Sequence, residues 1–458
     1  MLRKLPWFAP DGGLEYEYAQ AVSEGLPVQA MQARFEAAAS LEPGSPERIR
    51  LAVALHEEVA ALAAAHPEAA AAEPSDLEGI LALAPAPPDL PPPDTDDGLR
   101  YDRVYGAWLG RCAGCLLGQP VEGWDRARIE GFCRETGNLP VRGYLRSDVP
   151  EGIRATYRVA DRLDWAGGKT VNWLNNVACM PEDDDTNYTI LGLRILETYG
   201  PGFTSDDVAE AWLQNLPMLH LCTAERVAYR NVANGIFPPA SAAFRNPFRE
   251  WIGAQIRADF FGYIAPGDPR RAASAAHRDA AVSHVRNGIY GEMWVAAMLA
   301  AAAVTQDAGL VLEAGLSVVP AGSRLAAAVR GIAEAHRRGE GVRETVDGIH
   351  ARHRESWEHD WCHVLSNAQV VAAALLYGGG DLGTTLGIAL TSGFDTDCNG
   401  ATAGSLVGMM RGASALPAEW IAPLRDTVLS GVDGMGRAAL SDLARRTMAF
   451  VRLPDAGA

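Results

Sequence analysis

Two short acidic runs carry the side chains with the clearest chemical potential. One is Pro181-Glu-Asp-Asp-Asp-Thr186 and the other Ser392-Gly-Phe-Asp-Thr-Asp-Cys-Asn-Gly400. In the second, Asp395 and Asp397 stand two apart, directly after the apolar stretch Leu386 to Leu390. Carboxylates held that close in an apolar setting repel, and one rises in pKa unless a cation neutralises the pair. Hard oxygen donors without paired histidines favour Mg²⁺, Mn²⁺ or Ca²⁺ over a structural zinc site. In the first run, Asp183, Asp184 and Asp185 precede a stretch in which Tyr188, Leu191, Ile195 and Tyr199 fall on one helical face. The acids then sit at a helix N-terminus, where negative charge is stabilised. Taken alone, that run reads as an ordinary N-cap with solvated acids.

Two other readings of the second run fail on residues. Asp395, Asp397, Asn399 and Gly400 imitate the first half of an EF-hand loop, but Leu406 stands where its bidentate glutamate is required. An Asp-x-Asp phosphatase of the haloacid dehalogenase type wants Thr or Val where Asn399 stands. It also wants a downstream lysine, and none follows Lys169. A third segment, Gly106-Ala-Trp-Leu-Gly-Arg-Cys-Ala-Gly-Cys-Leu-Leu-Gly-Gln-Pro-Val-Glu-Gly123, places Glu122 just past Pro120 at a helix exit. Its Cys112 and Cys115 have no second C-x-x-C partner and no thioredoxin-like surroundings, so they read as small core residues. His350, His353, His359 and His363 crowd together, with the last two at helical spacing. Asp360-Trp-Cys362 lies between those two instead of the Glu of a zinc protease. Trp357 and Trp361 read as core or pocket wall, and Asn367 stays unassigned.

The elements that must position these acids share an unusual feature. Gly106, Gly110, Gly114 and Gly118 recur every four residues, and so do Gly400, Gly404, Gly408 and Gly412. Each glycine inside a helix costs about 1 kcal/mol relative to alanine, so four on one face need a reason. Close approach of any neighbouring helix would supply one. The sharper expectation is that the two glycine faces pack on each other, antiparallel. Glu122 would then come near Asp395 and Asp397.

The chain of 458 residues is nearly half apolar and rich in alanine, and it lacks period-2 runs of β-formers. This composition predicts an all-α fold. Residues 14 to 80 read as several helices, Pro46 to Ala65 among them. Six prolines between Leu83 and Asp97 form a stiff connector. The expected organisation is a helical extension over 1–82, a proline-rich linker over 83–98 and a catalytic domain over 99–455. A formal charge of −17 argues against partners that need positive charge, such as nucleic acid or an acidic membrane surface. The longest apolar run, Trp294 to Val304, is too short for a membrane span and reads as a buried helix. Arg3 and Lys4 precede no apolar segment, so no signal peptide is visible. Seven scattered cysteines fit a reducing cytoplasm.

Taken in order, the three segments resemble the ADP-ribosylglycohydrolase family over roughly residues 100 to 415. The resemblance rests on the glycine-spaced helix ending in Gln119-Pro-Val-Glu122, on Asp184-Asp185-Thr186 at a helix start, and on Gly393-Phe-Asp-Thr-Asp397 before the small-residue helix containing Ala401-Thr-Ala-Gly404. Ser283-His284, Gly288-Ile-Tyr-Gly291 and Ala296 to Ala303 agree more loosely. It implies a compact multi-helix globule with two Mg²⁺ ions, or Mn²⁺, between the two aspartate motifs. It also implies hydrolysis of a glycosidic bond at C1″ of an ADP-ribosyl group. By position, it makes Asp183, Asp184, Asp185, Asp395, Asp397 and Cys398 metal ligands. Glu122, Asp184 and Asp395 become catalytic candidates, and His284, Asn287, Gly288 and Gly291 lie where substrate-contacting loops are expected. The sequence departs from the family pattern at Asp183, where Ser or Thr is common, at Cys398, where Thr is usual, and at Cys115, where many relatives have Asp. A thiol is a poor Mg²⁺ ligand. The second ion therefore binds more weakly, takes a water at that position, or is a different ion. The ribose partner is a protein side chain or a small molecule such as a biosynthetic N-glycoside. A non-catalytic ADP-ribose-binding protein on the same fold is the alternative of another class.

Overall fold

The fold follows from how its helices start and what they bury. The computed structural model describes residues 6–163 and 169–453. Arg3, Lys4 and the last residues of the expected catalytic domain lie outside that range. Helices dominate, and the strands are confined to two antiparallel pairs among the described residues, Arg162–Leu163 with Lys169–Thr170 and Thr427–Leu429 with Arg437–Ala439. The expected all-α class is what the chain adopts. No helix among the described residues is long and apolar enough to cross a membrane.

The centre is the contact between helices Asp97–Gly118 and Thr396–Arg411. The first starts at Asp96, whose side chain accepts from the backbone N–H of Gly98 and Leu99 at 2.7 and 3.2 Å. Both helices are buried over most of their length. They run antiparallel with their glycines face to face. A Cβ at Gly106 would strike Gly408, one at Gly110 would strike Gly404, and one at Gly114 would strike Gly400, in each case at the backbone carbonyl oxygen. Gly118 meets the carbonyl of Thr396 in the same way. The two backbones are in direct contact, which is what the repeat of four predicted. Gly412 departs from the pattern: it caps the second helix with a left-handed φ of 79° and lies against Asp102.

Other helices wrap this pair. Asn287–Ala302 is buried on every side and includes most of the apolar run noted in the sequence. Val364–Gly378 and Leu382–Thr391 close another flank, and Asp184–Tyr199 buries Tyr188, Leu191 and Ile195. The amino-terminal extension includes Pro46–Ala65, started by Pro46 and a Ser45 cap. It builds a small core of its own from Leu14, Ala21, Val28, Phe35, Leu55 and Val59. The proline-rich stretch has no regular structure between Ala84 and Asp96 and lies against the body, with Leu90 packed on the main core.

Substituting Gly110→Ala or Gly404→Ala should lower unfolding stability by about 2–3 kcal/mol, because a methyl cannot enter a backbone-to-backbone contact without moving a helix. Gly331→Ala is the control. It is an exposed helical glycine with nothing near its missing Cβ, so the same change should stabilise by up to about 1 kcal/mol. Urea titration of the three variants checks both signs.

Candidate metal centre

Helix Asp184–Tyr199 is capped by Asp183, whose Oδ1 accepts from the backbone N–H of Asp185 at 3.0 Å. Asp183 Oδ2 accepts from the Gln119 amide at 2.6 Å, which ties the cap to the exit of the first glycine helix. The ordinary N-cap expected from this run is therefore present, but its acids are not simply solvated. Asp185 is fully buried, and Asp183 and Asp184 are only partly exposed. Just upstream, Met180 pairs with Val428 of the carboxyl-terminal strand pair and fixes where the run begins.

Asp395 is presented by a strained turn. Gly393 and Phe394 both have left-handed backbones, with φ of 74° and 58°. A buried phenylalanine in that region is held there by its surroundings. The Asn367 amide oxygen accepts from the Asp395 backbone N–H at 3.3 Å and from the Asn399 amide at 2.7 Å. Its own amide group donates to the carbonyls of Trp361 and His363. The role that the sequence left open for Asn367 is thus to pin the second acidic run to the rest of the core.

The two runs meet. Cys115 Sγ and one oxygen each of Asp183 and Asp185 lie within 4.8 Å of one another, and Asp185, Asp397 and Cys398 form a second such triad. Asp185 belongs to both. Asp184 and Asp395 stand beside the triads, Asp184 next to Asp183 and Asp395 next to Asp397. Burial and then neighbouring negative charge push the carboxyls of Asp184 and Asp395 well above the usual range. Burial also raises Asp185, against the pull of Arg111. Asp397 is pushed up to about 6, first by burial and next by Asp183. Glu122 is exposed at the helix exit, and its charge is felt at Asp395 and Cys222.

Several contributors escaped the sequence reading. Arg111, on the first glycine helix, is completely buried and donates to Asp185 Oδ1 at 3.1 Å and to the Asp185 carbonyl at 2.7 and 3.0 Å. Its other arm reaches Asp259 at 2.8 Å. It is the lone charge between Val104 and Gly118, a signal that could have marked it. Cys115 is not merely core, since its thiol lies 3.8 Å from Asp185 Oδ2. Glu225 is buried, and its charge acts on Asp184, Cys222 and Cys362. Arg257 holds Glu225 at 2.6 Å and also binds Asp279 and Glu292.

The expected substrate loop falls elsewhere in part. His284 lies 3.9 Å from Glu225 and hydrogen-bonds Ser283 at 2.8 Å, so it is linked to the centre only through Glu225. Asn287 donates to Glu73 of the amino-terminal extension and accepts from the Leu325 backbone N–H. Gly288 lies beneath the Arg249 carbonyl, and Gly291 against Val364 and Gln255. Among the histidines, the rings of His359 and His363 come within 5.0 Å, but neither joins a metal-ligating group among the described residues.

A divalent cation fits this donor set. Asp397 Oδ1 is buried without a hydrogen-bond partner, and four other carboxyl groups crowd around the shared Asp185. A cation there would remove the repulsion that otherwise forces protonation.

A family model of ADP-ribosylglycohydrolases matches residues 96–455, beginning at the cap of the first glycine helix. The chain belongs to the ADP-ribosylglycohydrolase family. A solved chain described as an ADP-ribosylglycohydrolase-related protein complex is 19% identical, with a TM-score of 0.46, over 78% of this chain and 99% of that one. No curated protein matches the chain.

One pH dependence follows from His359, which sits beside the bulk of the extension. Its Nδ1 accepts from the Trp251 indole at 3.1 Å, and burial lowers its pKa from 6.5 to about 4. Between those values the unfolded ring takes a proton that the folded ring refuses. Stability is therefore present above pH 6.5 and lost as pH falls toward 4, by on the order of 3 kcal/mol. In NMR titration the His359 ring should stay neutral down to about pH 5. The acid-induced loss should shrink by that amount in His359→Asn.

Proposed function

We propose that the chain hydrolyses a glycosidic bond at the ribosyl C1″ of an ADP-ribosyl compound, using divalent cations held between its two aspartate motifs. The observation that supports this best is the meeting of Asp183, Asp184 and Asp185, at the start of one helix, with Asp395 and Asp397, at the start of another. Family membership supports the glycohydrolase class. Dependence on a divalent cation and the nature of the leaving group belong to this proposal; the sequence alone suggested Mg²⁺ for that cation.

Cleavage at a ribose passes through an oxocarbenium-like state assisted by carboxylates. When bound, the cations supply Lewis-acid polarisation and an anchor for the sugar hydroxyls. The protein's own groups divide the remaining work. Asp185 is oriented by Arg111 and serves as the shared ligand. Asp184 and Asp395 would accept a proton from the attacking water once bound cations offset the burial and neighbouring charge that raise their carboxyls. Glu122, exposed beside Asp395, positions the substrate or protonates the leaving group. Glu225 and His284 support the centre from its buried side.

Calorimetry with ADP-ribose tests this reading. Wild type should bind only with a divalent cation present, and Asp395→Asn should bind roughly 100-fold more weakly or not at all. Hydrolysis of ADP-ribosylated peptides and small N-glycosides should fall in parallel. Cation-independent binding, or unchanged cation affinity and activity in Asp395→Asn, would overturn it.

A further inference from the structure

Both triads contain a thiol. Cys115 Sγ completes one with Asp183 and Asp185, and Cys398 Sγ completes the other with Asp185 and Asp397. The remaining free cysteines, Cys112, Cys133, Cys179, Cys222 and Cys362, join no such group among the described residues. The placement is therefore selective. Cys115 and Cys398 come from the two helices that touch backbone to backbone, so their separation is set by the stiffest contact in the fold.

We propose that this centre is built for thiophilic divalent cations such as Zn²⁺ or Co²⁺, bound through Cys115 and Cys398 together with Asp183, Asp185 and Asp397, rather than for Mg²⁺. Magnesium wants about six oxygens at about 2.0–2.1 Å in strict octahedral order, and sulfur is a poor member of that set. Zinc takes sulfur at about 2.3 Å and carboxylate oxygen at about 2.0–2.2 Å, typically with three protein ligands and one open position in catalytic sites. Each triad offers three ligands. With sulfur and oxygen at those bond lengths, a tetrahedral edge is roughly 3.5 Å, close to the 3.8 Å between Cys115 Sγ and Asp185 Oδ2. Asp185 Oδ1 is already taken by Arg111. Asp397 Oδ1, buried without a partner, is a second and independent sign of a missing ligand. Cys398 lies in the first turn of a helix of 16 residues, buried beside Asp185 and Asp397. On binding, each S–H bond is replaced by an S–metal bond, and the proton leaves to solvent.

The inference rests on the proposed function only in that the aspartates hold a cation; it does not depend on the sugar. The full chain, stripped by chelator and reloaded with Co²⁺, provides the test. A near-ultraviolet sulfur-to-cobalt charge-transfer band is expected. It should weaken in Cys115→Ser or Cys398→Ser and vanish in the double variant, while Zn²⁺ affinity falls roughly tenfold or more and Mg²⁺ affinity does not fall. The wild-type spectrum needs no variant, so a variant that fails to fold leaves the test intact. Co²⁺ binding without the band, or serine variants that fold and keep full Zn²⁺ affinity, would overturn the inference and leave the proposed function standing. Failure to bind any divalent cation would overturn both.

Discussion

Backbone contact between two helices is the constraint on which the rest of this molecule depends. Gly106, Gly110 and Gly114 lie against Gly408, Gly404 and Gly400 with no room for a methyl group on either side. Each glycine gives up about 1 kcal/mol of helix propensity. What is gained is proximity: the exit of one helix and the entrance of the other come together within the reach of short side chains. Aspartate and cysteine are short. Residues of that size can share ligands only if the backbones carrying them are close, and a conventional helix interface 8–10 Å wide would hold them apart.

Collecting five carboxyl groups in one place is electrostatically unfavourable, and the surrounding structure shows how it is sustained. Arg111 is completely buried and divides its guanidinium between Asp185, Asp259 and two backbone carbonyls. Such a charge is tolerated because nearly all its donors are engaged. Asn367 pins the backbone of Asp395, and the left-handed Phe394 turns the chain into position. A second buried arginine, Arg257, holds Glu225, Asp279 and Glu292 behind the site and rests on the rings of Tyr188 and Trp212. These supports hold the carboxyl groups together before any cation arrives.

Buried ion pairs join the amino-terminal extension to the body, alongside apolar contacts such as Ile80 and Tyr16. Glu17 and Glu24 take Arg249 at 2.8 and 2.7 Å, while Glu73 takes Arg324 at 2.6 Å and Arg286 at 3.3 Å. All three glutamates are nearly inaccessible. Ions buried this way give little net stability, but removing one partner strands the other, so they fix a single docking geometry. The Asn287 amide and the Tyr290 hydroxyl, in the centre of the body, also bond to this extension. Tyr16 reaches Glu358 and stacks on His359, close in sequence to Cys362, whose thiol senses Asp395. The extension and the metal centre are thus separated by a single short segment.

Periodic and local features were legible in the sequence. The spacing of four in both glycine runs pointed to close helix packing, because residues four apart share a helix face; that the two faces meet each other, antiparallel, was the sharper expectation, and the fold decided it. The acidic runs were legible as helix starts, and their order along the chain carried the family resemblance. Arg111, Glu225 and Cys115 were not legible as parts of the site. Arg111 looks like a charge in a helix, Glu225 like a surface acid, and Cys115 like a small apolar filler, until the fold shows what each faces. Nor was it legible that Asn287, which the family resemblance puts where a substrate-contacting loop is expected, donates its amide to Glu73. Helical class and the face that a helix buries depend on residues a few positions apart, so the sequence by itself determined them. Which carboxylate pairs with which cation, thiol or guanidinium depends on groups from distant segments, such as 111, 185 and 397. Only tertiary structure decided that, because electrostatic and coordination chemistry act through space and leave no period along the chain.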